Sequence, residues 1–292
     1  MSQPRLGIST AAFFPWDLEK IGYLLRSQPL THVELMPQVP QECAPSFSKT
    51  LRRFLGLSLQ VSSIHFPLAL HHFLSIPYPT ARLYARRLCR NLADLAGELG
   101  ALTIVTHSAP KGMMGADFQS VTRENIGYLA DRCQRHGVMV ALENTPEGAT
   151  QTAEHLQTWL KAINCRNLGT CLDVGHAHRS GLDPATMVRD MPNLVHVHVH
   201  GFRPDLGDHR TLQEGIVDWA TLGTQLRQRC YEGGVVIELK PETLGQHPAE
   251  TLRENAAFLL QTFGPPPPST APAGDARPPL SSEAPAKPNL PT

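Results

Sequence analysis

Asp173 and His176 stand three residues apart in the run Leu172-Asp173-Val174-Gly175-His176, where a short apolar strand ends and the chain turns. A carboxylate and an imidazole at one strand tip are hard-oxygen and borderline-nitrogen donors of the kind that hold a divalent metal. The plainer reading is that Asp173 caps the next helix and His176 is solvated. Repetition weighs against it. His65, His107, Glu143 and Glu238 also close apolar, β-rich runs, and each is followed by a loop and a helical segment. In Leu194–His200 strict alternation puts His196, His198 and His200 on one strand face and valines on the other. An imidazole face of this kind suits the lining of a polar cavity, and His198 is the preferred ligand of the three. His209 follows in the next loop, with Asp205 and Asp208 close by. Glu147 is a candidate proton-transfer or substrate-contacting group. Arg203 is a candidate phosphate clamp, because guanidinium forks match phosphate oxygens. For both, an ordinary loop or surface position is the competing reading.

The elements that must position these groups can be taken in order. Short strands are expected at Leu6–Thr10, His32–Met36, Leu59–His65, Leu102–His107, Val138–Glu143, Leu168–Leu172, Leu194–His200 and Gly234–Glu238. Glu34 on the second strand reads as a supporting carboxylate. Helices are expected at Pro15–Leu25, Phe47–Leu55, Thr80–Leu99, Phe118–His136, Thr152–Ile163, from Pro184, at Trp219–Cys230 and at Pro248–Phe263. In the longest, Leu83, Leu88, Leu92, Leu95 and Leu99 read as core positions. Phe202–Gly215 reads as a loop, and His71 and His72 as loop residues rather than ligands. Eight strand–helix units in sequence make a (β/α)8 TIM barrel, an α/β fold, the economical answer. Residues 1–263 form that domain. Residues 264–292 carry ten prolines with Ser, Ala and Thr and read as a disordered, polyproline-like tail.

Composition bounds the function. The 292 residues carry 26 basic and 26 acidic side chains, so there is no electrostatic footprint for nucleic acid, and a small-molecule substrate is expected. Fourteen histidines are many for this length. Six cysteines are scattered without metal-ligand or disulfide spacing, which suggests a reducing compartment. No signal-like N-terminus and no long apolar run is present, so the expected location is cytoplasmic, without a membrane partner. Oligomeric state is not legible.

The ordered strand ends resemble the xylose-isomerase-like TIM-barrel superfamily, which contains endonuclease IV-type AP endonucleases and sugar phosphate isomerases and epimerases. The carriers are Ile64-His65, Val105-Thr106-His107, Leu142-Glu143-Asn144-Thr145, Leu172-Asp173-Val174-Gly175-His176, Val197-His198, His209 with Gln213-Glu214-Gly215, and Ile237-Glu238. The resemblance implies divalent metal ions, Zn or Mn first and Mg as a further option. It implies ligands among His65, His107, Glu143, Asp173, His176, His198, His209 and Glu238, with Glu143, Glu238 and His176 as catalytic groups. Two chemistries follow from it. One is multi-metal hydrolysis of a small phosphodiester, for which cobamide-remodelling phosphodiesterases are a precedent within the family. The other is isomerisation or epimerisation of a sugar or sugar phosphate with one ion and the Glu143/Glu238 pair. His65, His107 and His209 tilt the expectation towards hydrolysis; a non-catalytic metal-binding barrel is the third reading. Gly207 stands where the family's Asp-x-His motif has its Asp, which puts a third metal position in question.

Overall fold

The computed structural model describes residues 3–264. The segment from residue 265 onward, with the expected proline-rich tail, lies outside the described residues. Eight parallel strands close into a barrel: β1 (Arg5–Ser9), β2 (His32–Leu35), β3 (Gln60–His65), β4 (Thr103–Thr106), β5 (Met139–Glu143), β6 (Leu168–Asp173), β7 (Leu194–Val199) and, after a small hairpin of β8 (Gly201–Arg203) and β9 (Gly207–Arg210), β10 (Gly234–Ile237). Strand β1 pairs with β10 and β2, which completes the ring.

Alternation along the strands divides core from site. Ile64, Ile104, Val140, Leu142, Leu172, Val197, Val199, Val235 and Ile237 join the large apolar cluster beneath the helices. Each such side chain removed from water contributes about 1.5–3 kcal/mol. The opposite parity holds a small separate cluster of Val105, Ala141 and Cys171, inside the ring. Two residues further along the chain from each come His107, just past β4, and Glu143 and Asp173, the last residues of β5 and β6. Small side chains thus plug the barrel below, and titratable ones crown it at the C-terminal ends, where barrel enzymes place their chemistry.

The helices are α1 (Leu18–Arg26), α2 (Phe47–Leu55), α3 (Leu68–His71), α4 (Pro79–Leu99), α5 (Ala116–Gln134), α6 (Ala153–Ile163), α7 (Val174–Arg179), α8 (Pro184–Asp190), α9 (Trp219–Gln228) and α10 (Pro248–Phe263). Their starts follow the capping rules. Asp17 accepts from the Lys20 amide at 2.8 Å, Thr152 from His155 at 3.1 Å and Asp218 from Thr221 at 3.0 Å. The first of these explains a difference: the helix starts at Leu18 rather than Pro15, because Asp17 supplies the cap. Leu83 is also not core. It is 71 % exposed, whereas Leu88, Leu92 and Leu95 are buried; five residues separate it from Leu88, well over a full turn, which carries it off the buried face. His71 is buried, and its Nε2–H donates to the His107 carbonyl oxygen at 3.1 Å. The Phe202–Gly215 stretch is not plain loop but contains the β8–β9 hairpin, and the turn after β6 winds into α7. All six cysteines are free. Among the described residues no helix is long and apolar enough to cross a membrane.

Candidate active site

The helix-cap reading of Asp173 holds, and the cap does not take the residue away from the mouth. Its Oδ1 accepts from the His176 amide at 2.7 Å, the N-cap bond of α7. The same carboxylate is completely buried at the mouth, and the Asp173 backbone is fixed by Asn144, whose Oδ1 accepts from the Asp173 amide at 2.7 Å and whose Nδ2 donates to the Asp173 carbonyl at 3.1 Å. The cap turns the chain sharply enough to swing His176 back over strand β5.

Glu143 is the hub. Its Oε1 lies 2.9 Å from His176 Nδ1, and its Oε2 lies 3.3 Å from His107 Nε2, 3.3 Å from His198 Nδ1 and 3.5 Å from His65 Nε2. Glu238 Oε2 reaches the same His198 Nδ1 at 3.1 Å and His209 Nε2 at 3.7 Å. Burial raises the Glu143 carboxyl, but the imidazoles of His107 and His198 outweigh that and hold it well below the carboxylate range. Glu238 shows the same balance, dominated on the lowering side by His198 and His209, and is drawn down to about 2.

Hydrogen bonds fix several tautomers. A carbonyl only accepts, so His65 Nδ1 carries a proton for the Phe66 oxygen at 2.8 Å and leaves Nε2 to face Glu143. His198 Nε2 lies 3.2 Å from each oxygen of the buried Glu34 carboxylate, which leaves Nδ1 to face Glu143 and Glu238. Glu34 also binds Ser63 Oγ at 3.0 Å and lies 3.0 Å from His196 Nε2. His200 is the reverse of His198. Its Nδ1 accepts the His209 amide proton at 2.8 Å, so Nε2–H is directed at both Asp173 oxygens, each at 3.0 Å. His200 therefore steadies Asp173, whereas His198 presents its Nδ1 to the carboxylates of Glu143 and Glu238.

The donors group into linked sets: His65 with His107 and Glu143; Glu143 with Asp173 and His176; Asp173 with His200 and His209. Glu143 is shared by the first two and Asp173 by the last two. Among the described residues, the buried atoms His107 Nε2 and His198 Nδ1 each face Glu143 Oε2 at 3.3 Å, and His209 Nδ1 faces Asp208, without a well-aligned hydrogen bond. Buried polar atoms are rarely left so, and imidazole nitrogens facing carboxylate oxygens are the donor set of a divalent cation. The residues present fit such an ion.

The third position is different. Gly207 adopts φ +83°, turning the hairpin, and Asp208 rather than Asp205 comes inward. Asp208 Oδ1 is 2.6 Å from Lys240 Nζ and 3.1 Å from His209 Nδ1, and Oδ2 is 3.4 Å from Arg179. Protein cations already neutralise it. Asp205 pairs with Arg203, at 2.7 Å, on the hairpin. The structure thus gives Arg203 a partner of its own on the hairpin. Glu147 lies beside the mouth, paired with Lys111 at 2.7 Å and Arg179 at 3.3 Å. Sequence reasoning overlooked Lys111, Lys240 and Arg179. Two had a signal: Lys240 is two residues beyond Glu238, and Arg179 is three beyond His176, one helical turn along the same face.

The family follows from comparison. The profile of the xylose isomerase-like TIM barrel matches residues 24–262. The chain belongs to that family. Among curated proteins it is 27 % identical over 162 residues to an uncharacterised protein, MJ1311, of Methanocaldococcus jannaschii. That match spans 52 % of this chain and 55 % of the relative, so the chain covers about half the relative's length. Solved structures of like fold include the apo form of the Escherichia coli 3-keto-D-glucoside 4-epimerase YcjR (17 % identity, TM-score 0.72, 89 % of this chain and 100 % of that one). A D-tagatose 3-epimerase-like protein matches with 20 % identity, a TM-score of 0.73 and coverage of 88 % and 97 %. A D-allulose 3-epimerase from Methylomonas sp. in complex with D-allulose matches with 16 % identity, a TM-score of 0.74 and coverage of 90 % and 98 %. At these identities the likeness shows the barrel fold.

Proposed function

We propose that this protein is a divalent-metal-dependent isomerase or epimerase of a sugar or sugar phosphate. The observation that carries this reading is the convergence of two carboxylates, Glu143 and Glu238, on one imidazole nitrogen, His198 Nδ1, at 3.3 and 3.1 Å. The sugar-epimerase names of several like-folded structures support it and favour it over the hydrolytic expectation. Glu143, Asp173, His198 and Glu238 would hold the ion, which when bound would polarise a substrate carbonyl. One carboxylate takes a proton from the carbon beside that carbonyl, and the C–H electron pair moves into an enediolate. The other carboxylate, handed a proton by the imidazole beside it, delivers that proton to the opposite face or to the neighbouring carbon, so the reaction is redox-neutral. His176 hydrogen-bonds the Glu143 carboxylate, and His209 stands beside that of Glu238, so each base has an imidazole within reach of its proton. Metal identity, Zn or Mn before Mg, belongs to the same proposal.

Hydrolysis of a small phosphodiester is the second reading. The observation favouring it is the His65/His107/Glu143 set, which shares Glu143 with the neighbouring set and so offers donors for a second ion. Against a three-ion centre stands Lys240, whose ammonium already occupies Asp208. The test is solvent deuterium. With Mn2+ loaded, deuterium should enter a ketose or ketose phosphate at the carbon beside the carbonyl, and Glu143→Gln should abolish the exchange. Cleavage of bis-p-nitrophenyl phosphate, with no exchange into any ketose, would replace this reading with the hydrolytic one.

A further inference from the structure

Beside the carboxylate cluster a cavity of about 250 Å³ opens, lined by His107 and His176 on one side and by Ser108, Lys111, Glu147 and Arg179 on the other. Its inner wall is thus shared with the candidate active site. Its outer wall carries two cations from separate segments: Lys111 follows β4, and Arg179 ends α7. Both converge on one carboxylate. Lys111 Nζ lies 2.7 Å from Glu147 Oε2, and Arg179 lies 3.3 Å from Glu147 Oε1.

We propose that this cavity is an anion subsite for the phosphate end of a phosphorylated sugar, and that Glu147 holds the place of that phosphate until substrate arrives. The proposal rests on the proton-transfer reading above and names its substrate class. Three features carry it. First, the two cations differ in the way phosphate recognition needs: a planar guanidinium fork and a mobile ammonium. Second, Arg179 is anchored independently of Glu147. Its other amino group contacts the buried Asp208 at 3.4 Å, so the guanidinium stays in place when Glu147 leaves. Third, Glu147 is free to leave. The turn around it is pinned by its neighbours: the Gly148 amide donates to the Thr145 carbonyl at 3.3 Å, the Ala149 amide to Ser108 Oγ at 3.2 Å, and Thr150 Oγ1 to the Glu143 carbonyl at 2.7 Å. The Glu147 side chain itself is nearly half exposed and, among the described residues, is held by two surface ion pairs, which are weak and salt-screened. A side-chain rotation, with the backbone fixed, exchanges one anion for another. Subsite and cluster adjoin, because His107 and His176 belong to both.

Isothermal titration of the Mn2+-loaded full chain at low ionic strength tests this, with D-fructose 6-phosphate, D-fructose and inorganic phosphate as probes. The expected result is at least tenfold tighter binding of the phosphorylated sugar than of D-fructose. Glu147→Gln should tighten the phosphorylated sugar and inorganic phosphate several-fold further, and Lys111→Ala and Arg179→Lys should each weaken them about tenfold while leaving D-fructose unchanged. Equal affinity for the two sugars, no binding of either phosphate probe, or phosphate binding indifferent to all three substitutions would overturn the subsite. The last outcome would place the phosphate on the ion or the histidines instead. If the tenfold preference and its dependence on Lys111 are found but no deuterium enters either sugar, the subsite stands and the proton-transfer reading fails.

Discussion

Lys240 sets its ammonium 2.6 Å from Asp208 Oδ1, in a barrel whose neighbouring carboxylates, Glu143 and Asp173, face imidazoles instead. A lysine is a monovalent cation fixed to the chain, and beside Asp208 it neutralises the charge that a third ion would need. The consequence is a stoichiometry. The wild-type protein is expected to bind no more than two divalent ions. Lys240→Ala should expose Asp208 and His209 to solvent cations and add one ion per chain. Elemental analysis of both proteins after equilibration with Zn2+ decides the point, and equal counts would show that Lys240 fills no ion position.

Glu34 is buried at the second strand, below the mouth, and reaches His198 from behind. With its carboxylate at His198 Nε2, the ring's other nitrogen is directed at Glu143 and Glu238. Removing such a supporting partner typically costs about 10–100-fold in metal affinity. Glu34→Gln preserves shape and the Ser63 contact but weakens the hold on the ring. It is expected to lower Mn2+ affinity within that range while the far-ultraviolet circular dichroism spectrum stays that of wild type. Unchanged affinity in a competition titration would mean that His198 is held by packing alone.

These two relationships mark what the sequence showed and what it hid. The parity of the strands was legible, because small or apolar residues alternate with titratable ones: Ala141 precedes Glu143 by two, Cys171 precedes Asp173, and His196, His198 and His200 share a face. The barrel, the eight strands and the ring of candidate ligands at its mouth follow from that pattern. Partner choice was not legible, because it depends on residues distant in sequence. Glu34 meets His198 across 164 positions. Nothing local tells Lys240 to bond Asp208 or Arg179 to divide itself between Asp208 and Glu147. The β8–β9 hairpin escaped for another reason: its strands are three and four residues long, too short for alternation to show. Leu83 misled because a leucine near a helical repeat looks like core until the turn angle is counted.

Proton release should accompany metal loading. Burial disfavours the charged form of His176, but Asp173 and Glu143 outweigh it and push its pKa up to about 9; His209, buried beside Asp208 and Glu238, rises to about 10. Both rings are therefore protonated at pH 7.5 in the ion-free protein, and an imidazole must be neutral to act as a ligand. Binding that recruits either ring releases its proton, so metal affinity should rise with pH between 6 and 9. Titration calorimetry of Mn2+ at pH 7.5, in buffers of different ionisation enthalpy, should give a release of about one proton or more per chain. The same shifts fix a sign for stability. A raised histidine pKa contributes stability that is complete below about 6.5 and is lost as pH climbs through 9 to 10. The ion-free protein should therefore lose Tm over that interval. Buffer-independent heats would show that neither ring gives up a proton to the ion.

Gly175 tests how tightly the mouth is assembled. It lies in the first turn of α7, where alanine in place of glycine would ordinarily gain roughly 0.5–1 kcal/mol through lower backbone entropy. Here a Cβ would fall 2.1 Å from His200 Cε1 and 3.1 Å from Asp208 Cβ. Both neighbours are committed: His200 steadies Asp173, and Asp208 is clamped by Lys240 and His209. Neither can retreat without breaking a buried contact, so overpacking, typically 1–3 kcal/mol, should outweigh the helix gain. Gly175→Ala is expected to be net destabilising in urea unfolding and to weaken metal binding together with it, because the displaced His200 releases Asp173. A stabilised variant with unchanged metal affinity would show that the imidazole has room to move, and that Asp173 is held by Asn144 and the α7 cap without help from His200.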